Sequence, residues 1–185
     1  DGARDILSEQ FAQNPELLGR LGGNLHQKAE LRARVIEGKE EAGAKFSDYF
    51  DHVERWANVP SLRALAMLRG RNEDILTLDI EADRDDPRPV KPVMRMIADS
   101  YAIGETLPGD AWLMEVVGWT WRAKLSLHLS VDLMTDLRMK AEAEAIDVFA
   151  RNLKNLLLTA PAGSRATMGL GPGIRTGVEG GGVGG

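Results

Sequence analysis

Cysteine is absent from the 185 residues, so no disulfide framework is possible and an oxidising compartment is not implied. Long apolar runs are missing too. None approaches the roughly 18 residues of a membrane span, and the opening Asp1-Gly2-Ala3-Arg4-Asp5 is not a signal peptide. These absences predict a cytoplasmic chain with no membrane partner. A basic excess is also lacking: 23 Lys and Arg stand against 28 Asp and Glu, a net charge of −5, which counts against a free-standing nucleic-acid binder. There is no initiator Met, and the first residues read as helix interior, so the expectation is a piece of a longer polypeptide.

What is present is enough apolar material, 43% of residues, for the core of one ordinary domain or two small ones. Charge is unevenly distributed. Residues 31 to 71 carry 8 basic side chains against 6 acidic, a local +2, whereas residues 72 to 120 carry 4 against 11, a local −7. Glycine is uneven as well, with 10 of the 20 lying from Gly163 onward.

Helical spacing dominates the pattern. Ala3, Ile6, Leu7 and Phe11 share one face. Asn14-Pro15 restarts a helix, with Asn as cap and Pro in the first turn, and Leu17, Leu18, Leu21 and Leu25 continue it. Gly22-Gly23 weaken that helix by about a kcal/mol each relative to Ala, which predicts a bend or break. The rhythm turns two-residue at Leu31–Ile36 and at Ile75–Asp83, two half-buried strands that could pair as a small sheet. Between them Pro60-Ser61 opens a helix with Leu62, Leu65, Ala66 and Leu68 inward, ending at Gly70. Three prolines between Asp85 and Pro92 exclude regular structure there. Asp110 can start a helix bearing Trp112, Trp119 and Trp121, and a longer one is expected from about Val131, with Pro161 after its end. Ala166–Leu170 reads as a short buried strand before a turn-rich tail, whose last residues, Glu179–Gly185, cannot bury enough to stay ordered alone. The fold class expected is therefore mainly α: a multi-helix core, a small two-stranded β element at about 31–36 and 75–83, and a strand near the C-terminus.

Chemistry-bearing patterns are sparse. His26, His52 and His128 form no ligand pair, Asp83, Asp85 and Asp86 lack the Gly and terminal Glu of a calcium loop, and no nucleophile motif is present. No catalytic residue, metal or cofactor is expected. Arg69-Gly70-Arg71-Asn72 puts two guanidinium groups where a helix ends, within reach of phosphates, with Arg32, Arg34 and Arg63 close by if the strands pair. Cations there also complement the helix dipole without any ligand. Arg63, Arg69 and Arg71 are the candidate nucleic-acid contacts. Trp112, Trp119 and Trp121 could stack on bases, but on an apolar helix their spacing favours core or interface packing.

Several blocks together carry a resemblance: Asp1–Leu7, Gly43–Asp51, Val59–Glu73, Glu144–Leu158, Ala160–Gly163 and Ala166–Leu170. The chain resembles the Tex family of bacterial transcription accessory proteins from residue 1 to about 178. That resemblance implies a much longer protein, with a helical core containing a helix-turn-helix-like part, a YqgF or RNase H-like domain, helix-hairpin-helix motifs and a C-terminal RNA-binding OB-fold domain. It implies that residues 1–164 are the late N-terminal helical region and 165–185 the truncated start of the YqgF domain. In the RNase H-like fold an Asp ending the first strand holds a catalytic metal; Gly171 stands at that position and offers no ligand. The function implied is a non-catalytic scaffold in transcription, its partners RNA or single-stranded DNA, bound mainly through domains outside this chain, and RNA polymerase. Two other readings stay open: a helical protein-interaction module without nucleic-acid contact, and a remnant of a metal-dependent RNase H-like nuclease, which Gly171 disfavours.

Overall fold

The computed structural model describes residues 2–83, 86–160, 163, 167–172 and 178–183. It divides into two compact units, Asp1–Ile146 and Asp147–Gly185.

In the first unit, α1 (Gly2–Ala12) and α2 (Pro15–Lys28) are separated at Asn14, whose side chain accepts from the Leu17 N–H at 3.1 Å. Such a cap stabilises a helix by about 1 kcal/mol. The predicted break at Gly22-Gly23 does not occur. Leu21 and Leu25 on either side are fully buried, and burying a Leu contributes roughly 1.5–3 kcal/mol, so the two together outweigh the glycines.

β1 (Glu30–Val35), β2 (Asp51–Arg55) and β3 (Leu76–Glu81) form an antiparallel sheet in the order β2-β1-β3. The two strands expected from the sequence are neighbours in it, Leu31 opposite Ile80 and Ala33 opposite Leu78. The third strand, β2, joins the other edge of β1. Its Asp51-His52-Val53-Glu54-Arg55 gives no apolar alternation, because its one apolar side chain is exposed and its half-buried positions are His52 and Glu54.

α3 (Ser61–Asn72) buries Ala64, Met67, Leu68 and Gly70. Leu62, expected inward, is 76% exposed; the inward stripe is set one position round the helix. Nor does α3 stop at Gly70. Asp74 adopts the left-handed conformation (φ 55°), the Ile75 N–H donates to Gly70 O and the Asp74 N–H to Arg71 O, a Schellman ending. Gly70 serves another purpose: a Cβ there would lie 2.6 Å from Leu76 Cδ1, so glycine allows α3 to sit close on β3.

α4 (Pro92–Ser100) follows the proline-rich loop, and α5 (Asp110–Thr120) begins where the buried Asp110 carboxylate accepts from the N–H groups of Thr106 and Leu107 at 3.0 and 2.8 Å. α5 then runs through a π-helical turn, Trp121–Leu125, into α6 (Ser126–Leu157) with right-handed helical backbone throughout. The expected start near Val131 is therefore an interior point of a longer rod. Leu125, Leu129, Leu133, Leu137 and Ala141 of this rod join α2, α3, α4 and β1 in one core. Phe46, Ile75 and Leu76 make a smaller cluster at the sheet's end. Trp56 links sheet and rod: buried, it donates its indole N–H to Leu133 O at 3.0 Å.

In the second unit, β4 (Thr167–Pro172) and β5 (Val178–Val183) pair antiparallel, with Gly171 opposite Glu179. The strand expected at Ala166–Leu170 is present from Thr167, but Met168 and Leu170 are exposed rather than buried. Part of the tail judged unable to order, Glu179–Val183, is paired backbone instead: β5 needs no side-chain core to satisfy its hydrogen bonds once β4 lies beside it. Asp85, Pro161, Ala166 and residues 173–177 of the expected turn-rich tail lie outside the described residues.

Candidate nucleic-acid interface

The three candidate arginines are all on α3 and differ in what already holds them. Arg63 donates to Glu54 Oε2 at 2.8 Å, and the other oxygen of that largely buried carboxylate meets His52 Nε2 at 3.0 Å. Arg69 donates through Nε to Glu73 Oε1 at 2.7 Å, while Lys45 reaches Glu73 Oε2 at 2.5 Å. The lysine and arginine hydrogen bonds hold the Glu73 carboxyl below its ordinary range, so both cations are matched by a carboxylate at neutral pH. A phosphate would have to compete with those pairs, of which Arg69–Glu73 is a surface pair of small net strength.

Arg71 is placed differently. Half-buried in the last turn of α3, it has no carboxylate partner among the described residues and lines a groove of about 450 Å³ with Asp79 and Glu81 of β3 and Arg122, Ser126 and Ser130 of the rod. Arg122 lies in the π-helical turn, exposed and likewise without a carboxylate partner among the described residues. A π turn rotates the side chains after it relative to an α-helix, and such turns are frequent at functional sites. Sequence reasoning missed Arg122. The available signal was its register, three residues after Trp119 on one helical face.

Arg32, expected nearby, reaches Asp51 at 3.4 Å across the β1–β2 pair. The tryptophans are only partly the packing residues expected: Trp121 packs against the core, Trp119 is half-buried, and Trp112 is 45% exposed. The histidines pair separately, His26 with Asp136, His52 with Glu54 and His128 with Asp132. Among the described residues no group of three or more His, Asp or Glu could hold a metal ion, and no helix is long and apolar enough to cross a membrane.

Residues 1–149 match the family model described as Tex central region-like. The chain is 52% identical over 182 residues to Protein YhgF of Escherichia coli strain K12, 47% over 182 residues to the Transcriptional accessory protein Tex of Neisseria gonorrhoeae, and 46% over 187 residues to Protein tex of Bordetella pertussis. Each match covers 97% of this chain and 24% of the relative, so the chain spans about a quarter of these proteins. The helices, the three-stranded sheet and the π-interrupted rod up to residue 149 are thus those of a Tex central region, and the chain belongs to that family.

Proposed function

We propose that this chain is a non-catalytic scaffold of a Tex-like transcription accessory protein, acting in the cytoplasm on nucleic acid and with RNA polymerase as a further partner. The observation that carries the reading is the match of 97% of the chain to a protein named for its accessory role in transcription. The geometry supports the reading. Arg71 and Arg122 flank one groove, neither with a carboxylate partner among the described residues, and guanidinium groups in that state are ready phosphate donors. Arg63 and Arg69 contribute less, because Glu54 and Glu73 already engage them.

Catalysis is no part of the proposal. Gly171, opposite Glu179 in the β4–β5 pair, supplies no carboxylate at the position where, by the family resemblance, an RNase H-like site would need one, and residues 165–185 are read as the opening of a YqgF domain. The test compares salt-dependent binding of single-stranded RNA and DNA by this chain and by a version extended to the length of its relatives. Binding at low salt by the extended protein, weakened in the chain alone, is expected. Absence of binding in both sinks the reading, as does magnesium-dependent cleavage that survives purification controls.

A second reading, protein docking, has its own observation. Ile146, Phe149, Leu153, Leu156 and Leu157 of α6 are exposed. Crosslinking to RNA polymerase with RNA removed separates it from the first.

A further inference from the structure

Beside the π-helical turn lies a cavity of about 650 Å³, open to solvent. One wall is the face of the rod that carries Trp112, Glu115, Trp119 and Arg122, and Arg4 of α1 closes the other side. Arg4 lies over the Trp119 ring, its guanidinium carbon 4.8 Å from the centroid, and its Nε is buried with no hydrogen-bond partner among the described residues. A carboxylate oxygen of Asp5 stands 3.6 Å from that Nε, a loose contact. The guanidinium of Arg122 folds back over Gly118, where a Cβ would meet Nη1 at 3.5 Å, and so points into the same cavity. Arg122 also lines the Arg71 groove; one side chain joins the two depressions.

This composition is unusual for a surface left to water. An exposed Trp, a cation–π pair and two guanidinium groups, with Glu115 in the lining and Asp5 loosely beside Arg4 as the opposing carboxylates, make a site that favours a flat apolar group bearing negative charge. Its volume falls within the range of small-ligand pockets. The continuity through Arg122 selects among anionic aromatic ligands, because a free nucleotide would use the cavity alone, whereas a strand would place a base in the cavity and its neighbouring phosphate in the groove. We propose that the Trp112–Arg4–Arg122 cavity receives an unpaired base of single-stranded nucleic acid. The base stacks on Trp112 and on the Arg4 guanidinium held over Trp119, and Arg122 meets the adjoining phosphate. The proposal rests on the nucleic-acid reading above and gives it a location.

The test uses anisotropy of labelled oligouridylate and oligothymidylate with the 185-residue chain and with the extended protein, so that no tryptophan serves as reporter. Trp112 and Arg122 are exposed, so Trp112→Ala and Arg122→Ala leave the fold intact, which far-UV circular dichroism checks. Each is expected to raise the Kd about tenfold, the loss of a stacked base or of a charge-assisted contact. Arg122→Ala also lowers the salt slope by about 0.7, one phosphate on a single strand, and Glu115→Gln tightens binding severalfold. Uridine monophosphate is expected to bind at least tenfold more weakly than the oligomer. Unchanged binding by both alanine variants of a protein that does bind overturns the cavity and leaves the broader reading standing. Equal affinity for the mononucleotide, or capture of oligoglutamate in place of the oligonucleotides, also overturns it. No binding by the extended wild type removes both.

Discussion

The two halves of α6 share one apolar rhythm and meet opposite fates. Leu129, Leu133, Leu137 and Ala141, each four residues from the last, are buried at 5% exposure or less, and the same step, continued past the half-buried Ala145, gives Phe149, Leu153 and Leu157, exposed at 67%, 44% and 76%. A four-residue step turns about 400°, so the stripe also winds about 40° round the rod at each step, and Phe149 to Leu157 lie on another side of it than Leu129. The buried half has a facing surface in α2, α3 and β1, and the outer residues are exposed. Periodicity therefore specifies which face of a helix is apolar, and only the neighbours decide whether that face contributes to stability.

The sharpest way to break this comparison is a pair of identical truncations. Leu133→Ala is expected to cost about 2–5 kcal/mol, because it opens a cavity in a filled core, and Leu157→Ala to fall within about 0.5 kcal/mol; urea unfolding of this chain measures both. Similar values at the two sites would show that the outer half is covered. Next in size, Trp56→Phe removes the hydrogen bond that ties the sheet to Leu133 O and leaves that carbonyl its helical partner only, for an expected loss of about 1–2 kcal/mol by the same measurement. Asn14→Ala removes the α2 cap and the bond that Asn14 Nδ2 donates to the Tyr101 hydroxyl, and should cost about 1 kcal/mol or somewhat more, with Asn14→Asp restoring the cap alone. The smallest effect concerns pH. Lys45 and Arg69 hold the Glu73 carboxyl below its unfolded value, as Lys124 holds Glu9. A depressed carboxylate contributes stability above its unfolded pKa and loses it as pH falls through the folded one. Below about pH 4.5 these ion pairs should weaken, and Glu73→Gln should flatten only that acid limb of a thermal-melt pH profile.

Much of the fold is legible in the residues because it depends on local chemistry. The Asn14-Pro15 cap, the pairing of the strands near 31–36 and 76–81 and the tryptophan-bearing helix all follow from spacing and turn residues. The features that are not legible depend on tertiary partners. β2 is chosen by the open edge of β1, Gly22-Gly23 stay helical because Leu21 and Leu25 are buried, and Leu62 is outside because α3 presents Ala64 and Met67 to the core. The candidate interface follows the same rule. A sequence marks Arg69 and Arg71 as cations at a helix end and Arg63 as close by; the i,i+4 spacing already offers Glu73 to Arg69, and only the fold supplies Glu54 to Arg63. Arg122, in the π turn, stands out once the fold shows it lining the groove with Arg71.

The contrast between engaged and open arginines is the central claim, and the salt dependence of single-stranded RNA binding by the extended protein tests it most directly. Arg71→Ala with Arg122→Ala should lower the slope of log K against log salt by about 0.7 for each phosphate no longer neutralised, while Arg63→Ala with Arg69→Ala leaves the slope unchanged. A slope that falls with the second pair and not with the first would contradict the account.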